Sequence, residues 1–186
     1  MDSESSTKSR IVDCFLDLLA ERPYDEISIG DVSALAGVSR QTFYYHFDNL
    51  FDVCQYRIDQ EREKRARRYT HEALLDNVTE DAITLYVLKR LIIPIYHSRS
   101  KDKLENSIFD NCYAMARAHF EAKSILESEY DLDLTCRFMA HAYTGLTIDW
   151  IAAGMPDKLT EIKRIVKTLV NYGTLYGSAF TTRDNE

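Results

Sequence analysis

Arg40, Gln41, Thr42, Tyr44, Tyr45 and His46 put a guanidinium, a primary amide, a methyl-bearing hydroxyl, two phenols and an imidazole into seven consecutive positions. These groups suit phosphate oxygens and the donor and acceptor edges that base pairs present in the major groove of double-stranded DNA. Arg40, Gln41, Thr42 and Tyr44 are the expected base or near-base contacts. Ser28, Ser39, Tyr45 and His46 are the expected phosphate contacts, Ser39 together with the backbone N–H groups of a helix start. His46 taken alone suggests a general base, but its neighbours point to a phosphate contact or a helix-ending hydrogen bond.

Such groups need a short, firmly held helix. Phe43 and Phe47 lie one turn apart and supply its inner face, with Val38 packing beneath them. The preceding segment has the grammar of a second short helix. Ser28 and Asp31 have the spacing of a capping box with a shortened carboxylate, and Ile29, Val32, Leu35 and Ala36 are the expected buried positions. Gly37 then stands where a left-handed backbone costs least, and Ser39 caps the helix that follows. Two helices about three residues apart have helix-turn-helix spacing.

The order Ser28, Ala36-Gly37-Val38-Ser39 and Thr42-Phe43-Tyr44-Tyr45-His46-Phe47, preceded by one amphipathic helix, resembles the TetR family of transcriptional regulators. The likeness covers about residues 7 to 57, and beyond them extends only to helical content and length. It implies an all-α fold, with an N-terminal three-helix DNA-binding domain (1–49) and a C-terminal helical domain for dimerisation and effector binding (50–186). It also implies a homodimer whose last two helices pack against their copies, placing the interface at Trp150, Val166, Leu169, Gly173 and Tyr176. The alternative for each is intrachain core. The start of the first helix, Thr7 and Lys8, lies near the DNA backbone in relatives. One position departs from the family pattern: Leu50 stands where a phosphate-pairing lysine is usual. Backbone N–H groups or another residue must hold the DNA there, or affinity is lower.

The whole chain bounds these expectations. It has 186 residues, a net charge of −7, 45% hydrophobic and 28% charged residues, values of a soluble globular protein with a real core. Residues 1 to 70 carry ten Lys and Arg against thirteen Asp and Glu, so DNA binding must rest on placed contacts and dimer geometry rather than a diffuse basic field. No apolar run approaches a membrane span and the N-terminus lacks a signal-peptide core, so a cytoplasmic protein without membrane association is expected. Cys14, Cys54, Cys112 and Cys136 have no metal-type spacing and read as small buried hydrophobes, a sensor thiol being the alternative. His97, His119 and His141 with Cys112 and Cys136 invite a zinc reading, but none forms a one-turn pair, and no metal or cofactor is expected. No phosphate loop, nucleophile elbow or paired-carboxylate setting points to an enzyme.

Few prolines and glycines leave long helical stretches. The first helix is expected from Thr7 to Arg22, behind a disordered residue 1 to 6 segment, with Ile11, Val12, Phe15, Leu16, Leu18 and Leu19 on one face and Pro23 ending it. A fourth runs from Asn49 to about Tyr69. Its EREKRARRY tail reads as a solvated face with acid–base pairing at three- and four-residue spacing, in preference to a DNA-contacting patch. Further helices are expected at Glu80 to Tyr96 with a break at Pro94, at Asp102 to His119, at Asp133 to Ala153 after a break near Glu127 to Asp131, and at Pro156 to Phe180. Tyr86, Phe109, Tyr113 and Tyr143, among other C-terminal aromatics, can line an effector cavity, or be plain core. The function expected is a homodimeric regulator, a repressor in the first instance, reading an inverted-repeat operator and released by a small effector. A co-activator-dependent activator and an interaction protein that has lost DNA binding are the competing readings.

Overall fold

A computed structural model describes residues 2–66, 74–124 and 128–156, with Arg164 and Thr168. Its helices are α1 (Asp2–Glu21), α2 (Ile29–Leu35), α3 (Arg40–His46), α4 (Leu50–Ala66), α5 (Leu74–Val87), α6 (Lys89–Tyr96), α7 (Lys101–Lys123) and α8 (Glu129–Ala152). A 3₁₀ turn at Tyr24–Glu26 follows Pro23, and no strand occurs among the described residues. The expected final helix, with Val166, Leu169, Gly173 and Tyr176, lies outside the described residues apart from Arg164 and Thr168.

Apolar periodicity explains most of this. Ile11, Val12 and Phe15 of α1 are buried, with Leu16, Leu18 and Leu19 partly so beside them. They join Tyr24, Ile27, Val32, Phe43, Phe47 and Phe51 in one apolar cluster that continues through α6 and α7 to Ile151 and Met155. The helix-turn-helix end therefore shares its core with the body. α7 and α8 form an antiparallel pair through Leu104, Ile108, Cys112, Ala116, Leu132, Cys136 and Ala140, all buried.

Helix ends differ from the sequence reading for local reasons. α1 begins at Asp2 rather than Thr7, so the segment expected to be disordered is helical from its second residue. The break expected at Pro94 falls at Leu88, between α5 and α6, and Pro94 sits inside α6. A proline ring strains the turn before it rather than its own position, so the helix yields upstream. Glu129, Tyr130 and Asp131 form the first turn of α8 instead of a break, because Ser128 accepts from the Asp131 N–H and the acidic residues favour a helix start. α8 ends at Gly154 (φ 81°), and the Met155 N–H closes back onto the Trp150 carbonyl at 2.9 Å.

The tail of α4 is the larger difference. Its charges do pair at three- and four-residue spacing: Arg57, Lys64 and Arg65 all reach Glu61, at 3.4, 3.6 and 3.4 Å. Among the described residues of the tail, Lys64 does lie in solvent, but Arg62 and Arg65 do not. Arg62 crosses to Asp81 of α5 at 2.9 Å and returns to Asp59 at 3.3 Å, while Arg65 meets Glu80 at 3.4 Å. The Arg62 and Asp81 side chains are only 13% and 6% exposed. The two carboxylates beside it hold the Arg62 guanidinium above its ordinary range although burial opposes the charge. A hydrophobic alternation cannot signal this, since the partners are nineteen residues apart. The cysteines are free, three of them buried, and burial pushes the Cys112 thiol up to about 12.

A buried ion pair is costly to break on one side only. Asp81→Ala leaves the buried Arg62 charge only the half-exposed Asp59 carboxylate, so urea unfolding should show a loss near the lower end of about 3–5 kcal/mol. A loss comparable to that of an exposed pair would show that water reaches Arg62.

Candidate nucleic-acid interface

The reading helix is built from its caps inward. Ser28 accepts from the Asp31 N–H at 3.2 Å, while the Asp31 carboxylate accepts from the Ser28 N–H at 2.9 Å and from its hydroxyl at 2.7 Å. Arg22 adds an ion pair to Asp31 at 3.2 Å. These bonds hold the Asp31 carboxyl below its ordinary 3.8, the Ser28 hydroxyl contributing most. The Ser28 hydroxyl hydrogen is thus already committed to the cap. Gly37 takes the left-handed conformation (φ 63°) that the turn requires. Ser39 then accepts from the Thr42 N–H at 3.0 Å, its hydroxyl 2.9 Å from that of Thr42.

Two buried lines face each other across the turn. Val32, Ser33 and Ala36 form the inner face of α2, and Phe43, fully buried, with Phe47 forms that of α3. Leu35, expected inside, is 53% exposed. It lies about 100° round the helix from Ala36, and a helix of two turns has room for one buried face only. The outer face of α3 carries Arg40, Gln41, Tyr44 and Tyr45, all exposed, with Thr42 and His46 half-buried. Tyr45 is 74% exposed, and its ring meets that of His46 at 4.9 Å. The Arg40 guanidinium lies against Gly30, where an added Cβ would come within 2.6 Å of Nη2. Gly30 thereby gives the arginine its path.

At the start of α4, Leu50 is half-buried against the core. Asn49 accepts from the N–H groups of Phe51 and Asp52, and Asp52 accepts from those of Asp48 and Asn49. Those four amides are therefore bound within the chain. A cation stands nearby instead: Lys8 of α1 has its ammonium 5.9 Å from the Phe47 ring and 5.4 Å from that of Tyr56.

Residues 11–49 match the family described as bacterial regulatory proteins, tetR family, and residues 83–172 match a transcriptional regulator C-terminal region of the same kind. The chain belongs to the TetR family. These transcriptional regulators are not enzymes. An uncharacterized HTH-type transcriptional regulator of Bacillus subtilis, YwcC, is 33% identical over 60 residues, 32% of this chain and 27% of that protein. The fold is similar to that of the dihydroxyacetone kinase operon activator DhaS, with 17% identity, TM-score 0.66, and coverage of 90% of this chain and 95% of that one. It is also similar to NalD, the secondary repressor of the MexAB-OprM multidrug efflux pump in Pseudomonas aeruginosa, with 17% identity, TM-score 0.62, and coverage of 92% and 97%.

In this TetR-family chain the C-terminal candidates fall into separate groups. Tyr86 stacks on Trp150 at 6.1 Å, so Trp150 packs on its own body, with Nε1 buried and without a hydrogen-bond partner among the described residues. Phe109 stacks on Tyr113 at 6.3 Å and meets His141 at 4.6 Å, and the Tyr113 hydroxyl donates to Asp133 at 2.7 Å. Tyr143 is half-buried near Cys112, and burial raises its phenol. A groove of about 510 Å³ opens elsewhere, between α4 and α7. It is lined by Phe51, Gln55, Arg62, Lys103, Asn106, Ser107, Asp110 and Asn111, and Ser107 donates to Gln55 across it at 2.6 Å. Sequence reasoning also missed a ridge on α8: Tyr130, Leu134, Phe138 and Leu146 are 74, 54, 74 and 48% exposed. With Ala142, also exposed, they recur every fourth residue, a pattern visible in the sequence once the inner face is known.

The lowered carboxyl of Asp31 makes the capping box acid-sensitive. Its contribution is whole above the ordinary value of 3.8 and is lost as pH falls through the lower folded value. Acid unfolding followed by circular dichroism should therefore show a steeper loss below about pH 4 in the native protein than in Asp31→Asn. Identical acid slopes would show that Asp31 plays no part in the acid sensitivity.

Proposed function

We propose that this regulator is a homodimer that binds an inverted-repeat operator, represses transcription there, and is released by a small effector. The observation that carries the reading is α3, a doubly anchored two-turn helix that buries Phe43 while exposing Arg40, Gln41, Tyr44 and Tyr45. Arg40, Gln41, Thr42 and Tyr44 read base edges, Arg40 from its seat over Gly30. Ser39, Tyr45, His46 and Lys8 hold phosphates, Lys8 standing in for the cation that Leu50 cannot supply. Ser28 acts through the cap of α2 and reaches a phosphate only by sharing its hydroxyl with Asp31.

One two-turn helix contacts too few bases for tight recognition, so two must act about one DNA turn apart, or a multiple of it. The Tyr130-Leu134-Phe138-Leu146 ridge suits a second copy of the same helix, packing ridge into groove. The proposed interface extends to Val166, Leu169, Gly173 and Tyr176, and Trp150 supports it from the inside through Tyr86. The effector is assigned to the aromatic groups Tyr86, Phe109, Tyr113 and Tyr143. It acts only by its difference in affinity between the operator-bound dimer and the released one. The likeness to DhaS favours a second reading of the sign, activation, with the same DNA and dimer surfaces.

Selection of duplexes from a random pool tests the reading directly. The expected survivors share an inverted repeat; a folded dimer that enriches none would leave an interaction protein of this fold. On the selected repeat, Arg40→Ala should cost about 1–3 kcal/mol of discrimination at one position of each half-site. Lys8→Ala should weaken every sequence alike and reduce the salt slope by about 1, and Leu50→Lys should restore both. Phe138→Glu should yield monomers in sedimentation and abolish cooperative binding to the repeat. A reporter behind the repeat gives the sign, falling expression establishing repression.

A further inference from the structure

Besides the shared apolar core, two directional attachments join the reading unit to the body. One attachment is α4, continuous from Leu50 and braced on α5 by Arg62 and Arg65. The other lies at the 3₁₀ turn Tyr24–Glu26, which leads into the Ser28 cap of α2. There the turn between α6 and α7 reaches back seventy-four residues. The Arg99 N–H donates to both Asp25 carboxylate oxygens, at 3.3 and 3.2 Å. Arg99 Nε donates to Asp25 Oδ1 at 3.0 Å, and Nη2 to the Asp25 backbone carbonyl at 3.2 Å. Beside this fork the Ser100 hydroxyl donates to the Tyr24 hydroxyl at 3.2 Å, and both residues are buried.

The two bonded pairs depend on each other. The Arg99 side chain is 77% exposed, and an ion pair so open to water holds little by itself. Tyr24 and Ser100, by contrast, would each leave a buried hydroxyl without its partner if the turn swung away. The Tyr24 ring also packs edge-on against Phe15 of α1, centroids 6.1 Å apart, so pulling on it pulls on the core of the reading unit. The far side of the contact is equally firm. Ser98 donates to the Ile95 carbonyl at 2.7 Å and accepts from the Ser100 N–H at 3.0 Å. The other end of α6 is tied by Lys89 Nζ, which donates to the Met155 carbonyl at 2.9 Å, just beyond α8.

Apolar contacts are non-directional and leave small rolls and tilts about α4; a hydrogen-bonded attachment off that axis removes both freedoms. In a two-fold dimer the tilt of each unit sets the separation of the two reading helices, and DNA admits only separations matched to its helical repeat. We infer that the Asp25–Arg99 and Tyr24–Ser100 contacts determine which half-site spacing this protein accepts. They are positioning residues, touching no base, and the inference rests on the proposed reading as a dimeric operator binder.

The test uses the full chain and the selected repeat, with one, two or three base pairs inserted or deleted between half-sites. The native protein should lose at least tenfold in affinity for each altered spacing. The pair Tyr24→Phe/Arg99→Ala should lose less than threefold, and Arg99→Ala alone, which keeps the backbone N–H bonds to Asp25 and the Tyr24–Ser100 bond, an intermediate three- to tenfold, with the ranking of base substitutions inside each half-site unchanged. Arg99→Ala removes only an exposed side chain, so it reads the effect even where the double variant does not fold. Spacing discrimination as sharp in folded Arg99→Ala and the folded double variant as in the native protein would overturn the inference alone. A native protein that selects no repeat would overturn the function and the inference together.

Discussion

The burial of Phe43 is the constraint on which the rest depends. A helix of seven residues is far too short to persist in water, because nucleation costs more than its few hydrogen bonds return. α3 exists because Phe43 and Phe47 are driven into the cluster formed by α1, α2 and the first turns of α4, and because Ser39 closes its open end. Removing water from about one ring's worth of apolar surface is worth a few kcal/mol. That is enough to hold a surface of Arg40, Gln41, Tyr44 and Tyr45 that has no packing reason to be ordered.

The same cluster runs on into the C-terminal body, so the reading surface is part of a single mechanical object. α4 acts as its beam. Its first turns are apolar, with Phe51, Val53, Cys54 and Ile58 buried, while its later turns replace apolar packing with Arg62, Arg65 and Glu61 set against Asp81 and Glu80 of α5. Buried charges add little net stability over apolar side chains of the same volume, but they tolerate misalignment far less. A sliding α4 would strand several charges at once, so this end of the helix favours one register.

Chemistry is divided unevenly over the surface. The reading face offers few cations, Arg40 and Lys8 chief among them, on a chain of net charge −7. Long-range attraction to DNA is therefore weak, and in the proposed reading discrimination falls on placement: the caps that orient α3, the seat of Arg40 over Gly30, and the angle at which the body presents each unit. In the proposed dimer, the apolar ridge on α8 would bring in a second copy and so double the placed contacts.

Local features are legible in the sequence because their causes are local. Ser28 with Asp31, Gly37, Ser39 and the Phe43–Phe47 pair each act within four residues, so the order of residue types alone specifies the helix-turn-helix. Helical content and the buried cysteines follow from composition and periodicity in the same way. What connects distant segments is not legible. The Arg62–Asp81 pair, the Arg99–Asp25 fork and the Trp150–Tyr86 stack join residues nineteen, seventy-four and sixty-four apart, and no periodicity encodes which charge or ring will meet which. The outward ridge of α8 is the intermediate case. Its four-residue spacing is written in the chain, but an apolar line on a helix is core or interface according to what packs against it, and only tertiary structure decides that, because burial is a property of neighbours and not of the residue.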